Sequence, residues 1–274
     1  MSELLLSLKK PLAFAKRDFL ISTSYRFDFI FQFLGVLFSI LTLYFLSNLF
    51  GSKPLESISK YGGDYFSYVI IGFSFSSYLA VSLNGLSKSI REAQTTGTLE
   101  ALLVTQTEIP TIIISSSIYS FLITSVHVIL FLTIGVVFLG IDFSNANYLA
   151  AIIIFLLTII SFSSLGIISA SFIMIMKRGN PVDWLVTGIS WLLGGVYYPV
   201  SVLPDWLQKI SYMLPITHSL EGMRMALLKG SSIGELTNSV MALGIFSIIM
   251  LPISVLSFRM AVRQAKIHGS LTQY

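Results

Sequence analysis

The sequence contains no cysteine, which excludes disulfide bonds, thiolate metal sites and cysteine nucleophiles. Charged residues are also scarce, at 11% of the chain, where a soluble domain has about a quarter. A Gly-x-x-x-x-Gly-Lys-Ser/Thr motif is missing, so the chain does not bind ATP through a P-loop. It also lacks the basic cluster with interleaved aromatic residues that would indicate nucleic-acid binding.

Long apolar runs dominate the chain. Hydrophobic residues make up 54% of the 274 residues, and the mean hydropathy is +0.83. One soluble core could not bury this much apolar surface, so lipid is predicted to be its solvent. We predict an all-α membrane protein that forms a single transmembrane domain over 1–274, with six transmembrane helices. The predicted spans are 29–50, 65–86, 109–139, 148–176, 184–204 and 236–258.

Residues 1–28 carry five basic residues beside an imperfect helical stripe of apolar side chains. This pattern favours an interfacial amphipathic helix on the cytoplasmic side over a soluble arm. A second segment, 197–235, lies before the last span. Its first half contains Pro199, Pro204 and Pro215, and these three prolines preclude one straight helix. We expect it to be a broken, re-entrant and amphipathic segment on the outer side, with its backbone buried in protein.

The fifth predicted span is atypical. Asn180, Pro181 and Asp183 have the pattern of a helix start, with a cap, a proline at the first helical position and an early carboxylate. The apolar run that follows, Trp184 to Val196, corresponds to roughly 20 Å of helix, which is less than a full span.

Orientation follows from the lysines and arginines. With six spans, twelve of the 17 lie on the side of both termini, residues 87–108 and the Lys177-Arg178 turn. The other side holds five. The positive-inside rule therefore predicts cytoplasmic termini.

The predicted spans contain no Asp, Glu, Lys or Arg. Proton-coupled transport usually needs such a residue, so it is disfavoured, and the energy for transport must come from a partner. For His127, in mid-span, a hydrogen bond to a neighbouring helix backbone is preferred to a proton relay. For Gln32 and Asn84, hydrogen bonds between helices are preferred to contact with a ligand.

Residues 87–108 form a polar segment between the second and third spans, predicted to be a cytoplasmic coupling region. After Gly97, Thr98 can cap a helix on which Leu99, Leu102 and Leu103 form one apolar face of about two turns. Such a short helix is marginal in water, so it is expected to lie against the membrane surface or another protein.

Two motifs carry a resemblance to a known family. Glu92-x-x-x-x-Gly97-Thr98-Leu99-Glu100-x-Leu102-Leu103 resembles the cytoplasmic segment of type-2 ABC exporter permeases. The segment from Gly194 through Tyr197-Tyr198-Pro199 and Trp206 to Arg224 is similar to the proline-rich turn before the last span of that family.

The resemblance implies that two such subunits pair around a central path and that each docks on a cytoplasmic ATPase, which holds ATP and Mg. The chain itself would hold no catalytic, cofactor or metal residue and would not be an enzyme on its own. The implied ATPase contacts are Glu92, Thr98, Leu99, Glu100, Leu102 and Leu103. The implied outer gate is Tyr197, Tyr198, Pro199 and Trp206, for which an interfacial aromatic role is the alternative. The implied translocation path includes Gln32, Tyr44, Phe73, Tyr78 and Trp191.

The resulting expectation is a permease subunit of an ATP-driven exporter in the plasma (inner) membrane of a prokaryote. Its cargo would be hydrophobic or amphipathic, either a drug-like compound or a lipid-linked glycan. Its partners would be an ABC ATPase, a second copy of itself and membrane lipid, with no nucleic acid. The alternative is a membrane scaffold or assembly factor that docks a cytoplasmic protein. Proton-driven secondary transport is a third and disfavoured possibility.

Overall fold

The computed structural model describes residue 13 and residues 15–20, 22–49, 56–61, 64–95, 97, 109–176 and 180–267. Within these ranges every regular element is helical, which confirms the predicted all-α class. The elements are, in chain order, α1 (Arg26–Leu49), a 3₁₀ helix (Glu56–Tyr61), α2 (Tyr65–Thr95), α3 (Ile109–Leu139), α4 (Tyr148–Met176), α5 (Pro181–Leu193), a 3₁₀ helix (Val200–Val202), α6 (Asp205–Ser211), α7 (Pro215–Arg224), a π-helical turn (Met225–Lys229) and α8 (Thr237–Ile267).

Five of the described helices, namely α1, α2, α3, α4 and α8, are long and apolar enough to cross a membrane, whereas the sequence predicted six spans. The difference is α5, which has 13 residues. It ends at Leu193 because Gly195 has a left-handed φ of +78° and Pro199 follows shortly after. The predicted span 184–204 is therefore α-helical only as far as Leu193, and a sixth crossing stays a prediction.

Helix α2 lies at the centre of the bundle. In the most apolar stretch of α2, 78% of the residues are buried, against 17% in α1, 22% in α3 and α8, and 44% in α4. The helix continues beyond the predicted limit of 86 to Thr95 and so carries Lys88 and Arg91 past the apolar region. One continuous helix thus extends from the middle of the bundle towards the segment predicted to be the coupling region.

Small residues let the central helices approach closely. On α4, a Cβ atom added at Gly166 would collide with the backbone carbonyl of Ser82 on α2. Hydroxyl pairs connect the same helices, with Ser87 and Ser169 at 3.0 Å between α2 and α4. In lipid, where helices gain little from apolar contact with one another, such contacts and hydrogen bonds hold the bundle together.

The bundle has two distinct ends. The 3₁₀ helix Glu56–Tyr61, the loop 140–147 and residues 225–236 meet at one of them, which we call the loop end; there Asn147 donates its backbone N–H to the Ala226 carbonyl at 2.9 Å. At the opposite end, the basic end, α2, α4 and α8 share a small buried cluster. Exposed basic residues at this end include Lys88, Arg91, Arg259 and Arg263.

The predicted interfacial helix lies only partly within the described residues. Residues 15–20 and 22–24 are helical, with Ala15 buried and Phe19 exposed, and residues 1–12 lie outside the described part. The contact of this segment with a membrane surface stays a prediction.

Candidate functional site: the segment after α5 and the α2–α5 pair

The segment between α5 and α8 is broken at the prolines. Pro199 precedes the 3₁₀ helix Val200–Val202, Pro204 is the N-cap of α6, and Pro215 occupies the start of α7. Each proline lacks a backbone N–H and has a restricted φ, so it is tolerated where a helix begins and not in its interior. The segment therefore folds into short helices that pack on the loop end.

Arg224 holds this segment in place. It lies at the end of α7, and its side chain is buried, with 2% of its surface exposed. Its Nε atom donates to the Tyr68 carbonyl on α2 at 3.0 Å. Its Nη1 atom donates to the Gly195 carbonyl at 2.9 Å, and its Nη2 atom donates to the Val196 carbonyl at 3.1 Å. One guanidinium thus connects α7, α2 and the turn after α5.

The charge of Arg224 is compensated without a carboxylate ion pair among the described residues. The guanidinium carbon lies 3.5 Å from the centre of the Tyr68 ring, and the Tyr68 hydroxyl donates to the same Gly195 carbonyl at 2.9 Å. Desolvation by burial lowers the pKa of Arg224 from its ordinary value, yet an arginine stays protonated in proteins. Carbonyl dipoles and the aromatic face replace the water that the buried cation has lost.

The glycine at position 72 provides the space for this contact. A Cβ atom at Gly72 would collide with Nη2 of Arg224 and with the Val196 carbonyl. No side chain larger than hydrogen is compatible with the observed packing at this position.

At the surface of the loop end, Lys60 Nζ and Glu221 Oε1 are 3.2 Å apart. Partial burial acts to lower the pKa of Lys60, but the nearby Tyr61 and Glu221 raise it above its ordinary value overall. The pair is half exposed, so its contribution to stability is small compared with that of the buried guanidinium.

Three of the four residues predicted as the outer gate lie on the turn that Arg224 holds. The ring of Tyr197 meets Trp191 edge-to-face at 5.5 Å, and its carbonyl accepts from the Tyr65 hydroxyl at 3.1 Å. The Tyr198 hydroxyl donates to the Leu192 carbonyl of α5, and Pro199 is buried. Trp206, the fourth, lies on α6 and is 65% exposed.

The residues predicted to line the path divide into separate groups. Phe73 stacks on Phe131 of α3 at 5.5 Å and meets Trp191 edge-to-face at 5.8 Å, which places it beside the Tyr197 turn. Tyr78 is buried elsewhere, and its hydroxyl donates to Ser125 Oγ at 2.9 Å. The remaining two lie on α1, where Tyr44 packs edge-on against Phe66 and Gln32 is half-buried. Their role in a path stays a prediction.

A second hydrogen-bond network connects α2 and α5 near the basic end. Asp183 Oδ1 accepts from Asn84 Nδ2 of α2 at 3.0 Å and from Thr187 Oγ1 at 3.1 Å. Asn180 caps α5, because its Oδ1 accepts from the Asp183 backbone N–H at 3.1 Å. The Asn180 amide in turn donates to Ser169 Oγ of α4 at 2.7 Å.

Helices α2 and α5 are therefore connected at both of their ends. Near the basic end the link is Asn84 to Asp183, and near the loop end it runs through Tyr68, Arg224 and the Gly195 carbonyl. Between these links Phe73 packs on Trp191. The two helices and the Tyr197 turn are thus joined by contacts near both ends and in the middle.

The predicted ATPase contacts are located at the end of α2 and beyond it. The backbone of Glu92 belongs to α2, but its side chain lies outside the described residues. Thr98, Leu99, Glu100, Leu102 and Leu103 also lie outside them. Their docking role stays a prediction.

Two residues were assigned incompletely from sequence. Arg224 was counted only as a basic residue of the outer side, although it belongs to the second motif, and its burial requires contacts across the fold. His127 was expected to bond to a helix backbone. Instead, its Nε2 atom is buried with no hydrogen-bond partner in the described part of the chain, and its ring meets Phe33 edge-to-face at 5.1 Å. No three described His, Asp or Glu side chains form a group that could hold a metal ion.

The long apolar helices and the internally bonded segment between α5 and α8 define an integral membrane protein of the multi-pass type. Residues 12–228 match the family described as ABC-2 type transporter, and the chain belongs to this family. It is 25% identical over 191 residues to the inner membrane transport permease YadH of Escherichia coli strain K12, covering 69% of this chain and 72% of that protein. It is also 41% identical over 63 residues to nodulation protein J of Sinorhizobium fredii, covering 23% of this chain and 24% of that protein.

Family membership confirms the resemblance found in the sequence. The chain is a transmembrane transport permease that acts in partnership with an ABC ATPase subunit and is not an enzyme on its own. It is a multi-pass protein of the plasma membrane.

Proposed function

We propose that the chain is the permease half of an ATP-driven exporter that moves a hydrophobic or amphipathic cargo outward. The observation that carries this proposal is the double connection between α2 and α5, together with the continuation of α2 to Thr95, next to the leucine-faced segment. A displacement of that segment would move α2, and α2 would move the Tyr197 turn with it. Rigid-body motion of this kind is an established way to transmit a change between distant sites.

In this proposal the segment that begins at Thr98 docks into a groove of the ATPase, which holds ATP and Mg. Leu99, Leu102 and Leu103 would insert there, and Glu92 and Glu100 would face basic groups of the partner. The excess of basic residues at the termini and at the turn 177–178 favours the cytoplasmic side for the basic end. The termini, the residues 87–108 and the docked ATPase would then lie on that side.

The outer gate in this proposal is the Tyr197-Tyr198-Pro199 turn with Trp206. Two permease subunits would pair around a path that includes Gln32, Tyr44, Phe73, Tyr78 and Trp191. Helix α1 is well suited to a subunit contact because only 17% of its apolar stretch is buried within the chain. A drug-like compound and a lipid-linked glycan both satisfy the amphipathic character of the proposed cargo.

The docking step is tested by co-purification of the ATPase with the affinity-tagged chain and by the ATP turnover of the complex. We expect the Leu99→Glu and Leu103→Glu variants to lose the ATPase, because each places a charge in an apolar contact. The matched control is Ile233→Glu, which adds the same charge at an exposed apolar residue of the loop end. If both leucine variants retained the ATPase at the level of the control, the docking assignment would be wrong and the scaffold alternative would gain.

A further inference from the structure

A groove of about 490 Å³ lies on the side of the bundle where α3 and α8 flank α2 and α4. Helix α3 packs on α2 and α8 packs on α4, so α3 and α8 form the two sides of the groove and α2 and α4 its floor. Small residues of the floor, namely Ser82, Ser163 and Gly166, leave this space open. Most of the remaining lining is apolar, and no charged side chain among the described residues lines the groove. Its volume is within the range of small-ligand sites.

The groove extends to the basic end of the bundle. Leu86 of α2 and Ile167 of α4 belong both to its lining and to the buried cluster that marks this end. Ile160 and Leu251, which also line it, are 39% and 40% exposed, so the groove opens to the outer surface of the apolar helices. It therefore faces lipid, in the half of the hydrocarbon core that adjoins the basic end.

A basic residue lies at this end of the groove. On α8, Leu251, Val255 and Arg259 are spaced by four residues, and side chains at this spacing lie on one face of a helix. Arg259 is thus one turn, about 6 Å along the helix axis, beyond the lining residue Val255. Its side chain is exposed and forms no ion pair or hydrogen bond with another residue in the described part of the chain. The guanidinium is therefore free to bind a group at the membrane surface.

The dimensions of the groove restrict its occupant. On α4 the lining runs from Ile159 to Ile167, which corresponds to about 12 Å of helix axis. A volume of about 490 Å³ over this length gives a cross-section of about 40 Å², which is about half that of a helix about 10 Å in diameter. A helix of a second copy or of another protein therefore does not fit. An extended acyl chain, which is one methylene wide, does.

The charge at the end of the groove restricts the headgroup. A phosphate at the level of Arg259 would form a charge-assisted hydrogen bond with the guanidinium. Arg263, one turn further along α8, is exposed as well and adds a second positive charge. Basic residues beside transmembrane helices attract lipids of net negative charge more than zwitterionic ones.

We infer that the groove binds an anionic phospholipid, with one acyl chain between α3 and α8 and its phosphate on Arg259. None of the residues predicted for the translocation path or the outer gate lines this groove. The bound lipid would therefore be a component of the folded permease, at a site separate from the proposed cargo path.

The test uses the full-length chain in phosphatidylcholine liposomes with a trace of a photoactivatable lipid that carries a diazirine in the middle of one acyl chain. The headgroup of this lipid is phosphatidylglycerol in one arm and phosphatidylcholine in the other, and mass spectrometry maps the labelled residues. We expect phosphatidylglycerol to label residues 117–121, 159–167 and 251–255 about fivefold more than phosphatidylcholine does. This ratio corresponds to about 1 kcal/mol, the contribution of one basic residue near the membrane surface.

Arg259→Met should remove this preference and leave the labelling by phosphatidylcholine unchanged. The matched control is Arg91→Met, which removes another exposed arginine of the basic end. Arg91 lies on α2 about 140° around the helix axis from the lining residue Leu86, so its removal should leave the preference intact.

A second pair of variants tests the position of the acyl chain. Ser163→Phe places a ring in the groove and should exclude both lipids from residues 117–121 and 251–255. Its control is Ile152→Phe, which adds a ring at an exposed position of α4 outside the groove and should not affect the labelling of these residues.

Equal labelling of the groove by the two headgroups in the unmodified chain would overturn the inference, as would a preference that Arg259→Met retains. An equal loss of preference in Arg91→Met would assign it to the net charge of this end and would overturn the inference as well. So would label on the helices that is absent from 117–121, 159–167 and 251–255, since no acyl chain would then enter the groove. The assay needs neither ATP nor the ATPase, so its failure is distinguishable from failure of the co-purification test of the proposed function.

Discussion

Replacement of Arg224 by methionine tests whether the segment between α5 and α8 is held by one guanidinium. The variant removes three hydrogen bonds and the contact with the Tyr68 ring. Loss of the desolvated cation–π contact costs about 2 kcal/mol, and the Val196 carbonyl left without this donor costs about 1–3 kcal/mol. Removal of a buried charge offsets part of this sum. We therefore expect a net loss of about 3 kcal/mol in the local stability of residues 194–204, since several contacts are lost together.

Hydrogen–deuterium exchange measures this quantity in the folded protein. Under conditions in which exchange reports the opening equilibrium, a loss of about 3 kcal/mol accelerates exchange of residues 194–204 about a hundredfold. Tyr68→Phe, which removes only the hydroxyl bond to Gly195, should accelerate it about fivefold. The control Lys229→Met removes a positive charge from an exposed position five residues away and should leave exchange unchanged.

Arg224→Lys separates geometry from charge. An ammonium has three donors at one point and cannot span the carbonyls of Tyr68, Gly195 and Val196 as a planar fork does. We expect exchange in this variant to be at least as fast as in Arg224→Met. Normal protection in the lysine variant would show that charge alone is sufficient, and normal protection in the methionine variant would refute the whole assignment.

Three further outcomes are expected. Thermal unfolding in detergent of Asn84→Ala, Asp183→Ala and the double variant should give a coupling free energy of about 1 kcal/mol between the two side chains. Additive effects on stability would show that the observed hydrogen bond does not connect α2 and α5. Gly166→Ala should lower the stability by about 1–3 kcal/mol and also lower the yield of folded protein, because its Cβ would collide with the α2 backbone. The control is Gly188→Ala, whose added Cβ has no atom within 4 Å. Its elution on size-exclusion chromatography should match that of the unmodified chain. Lys60→Met should change the unfolding temperature little, since half-exposed ion pairs contribute about 0–1 kcal/mol; a loss comparable to that of Arg224→Met would contradict the distinction between the two cations.

Local signals predicted much of the chain correctly. The start of α5 at Asn180 and Pro181, and the breaks at Pro199, Pro204 and Pro215, depend on residues adjacent in sequence. Caps and prolines act on the backbone within one turn, so the printed sequence is sufficient to locate them. The end of α5 was harder to predict from the sequence. Apolar residues continue past Leu193, although the backbone turns at the glycines that follow.

The sequence by itself determined the solvent of this protein, the approximate positions of its five long apolar helices and the family to which it is similar, because hydropathy and short motifs are local properties. Only the tertiary structure decided that Arg224 is buried rather than exposed, since the residues that bind it are up to 156 positions away in the chain. It also decided that α2 is the central helix of the bundle. Burial depends on which helix faces meet, and the nearly uniform apolar character of these helices leaves that choice to packing between distant segments.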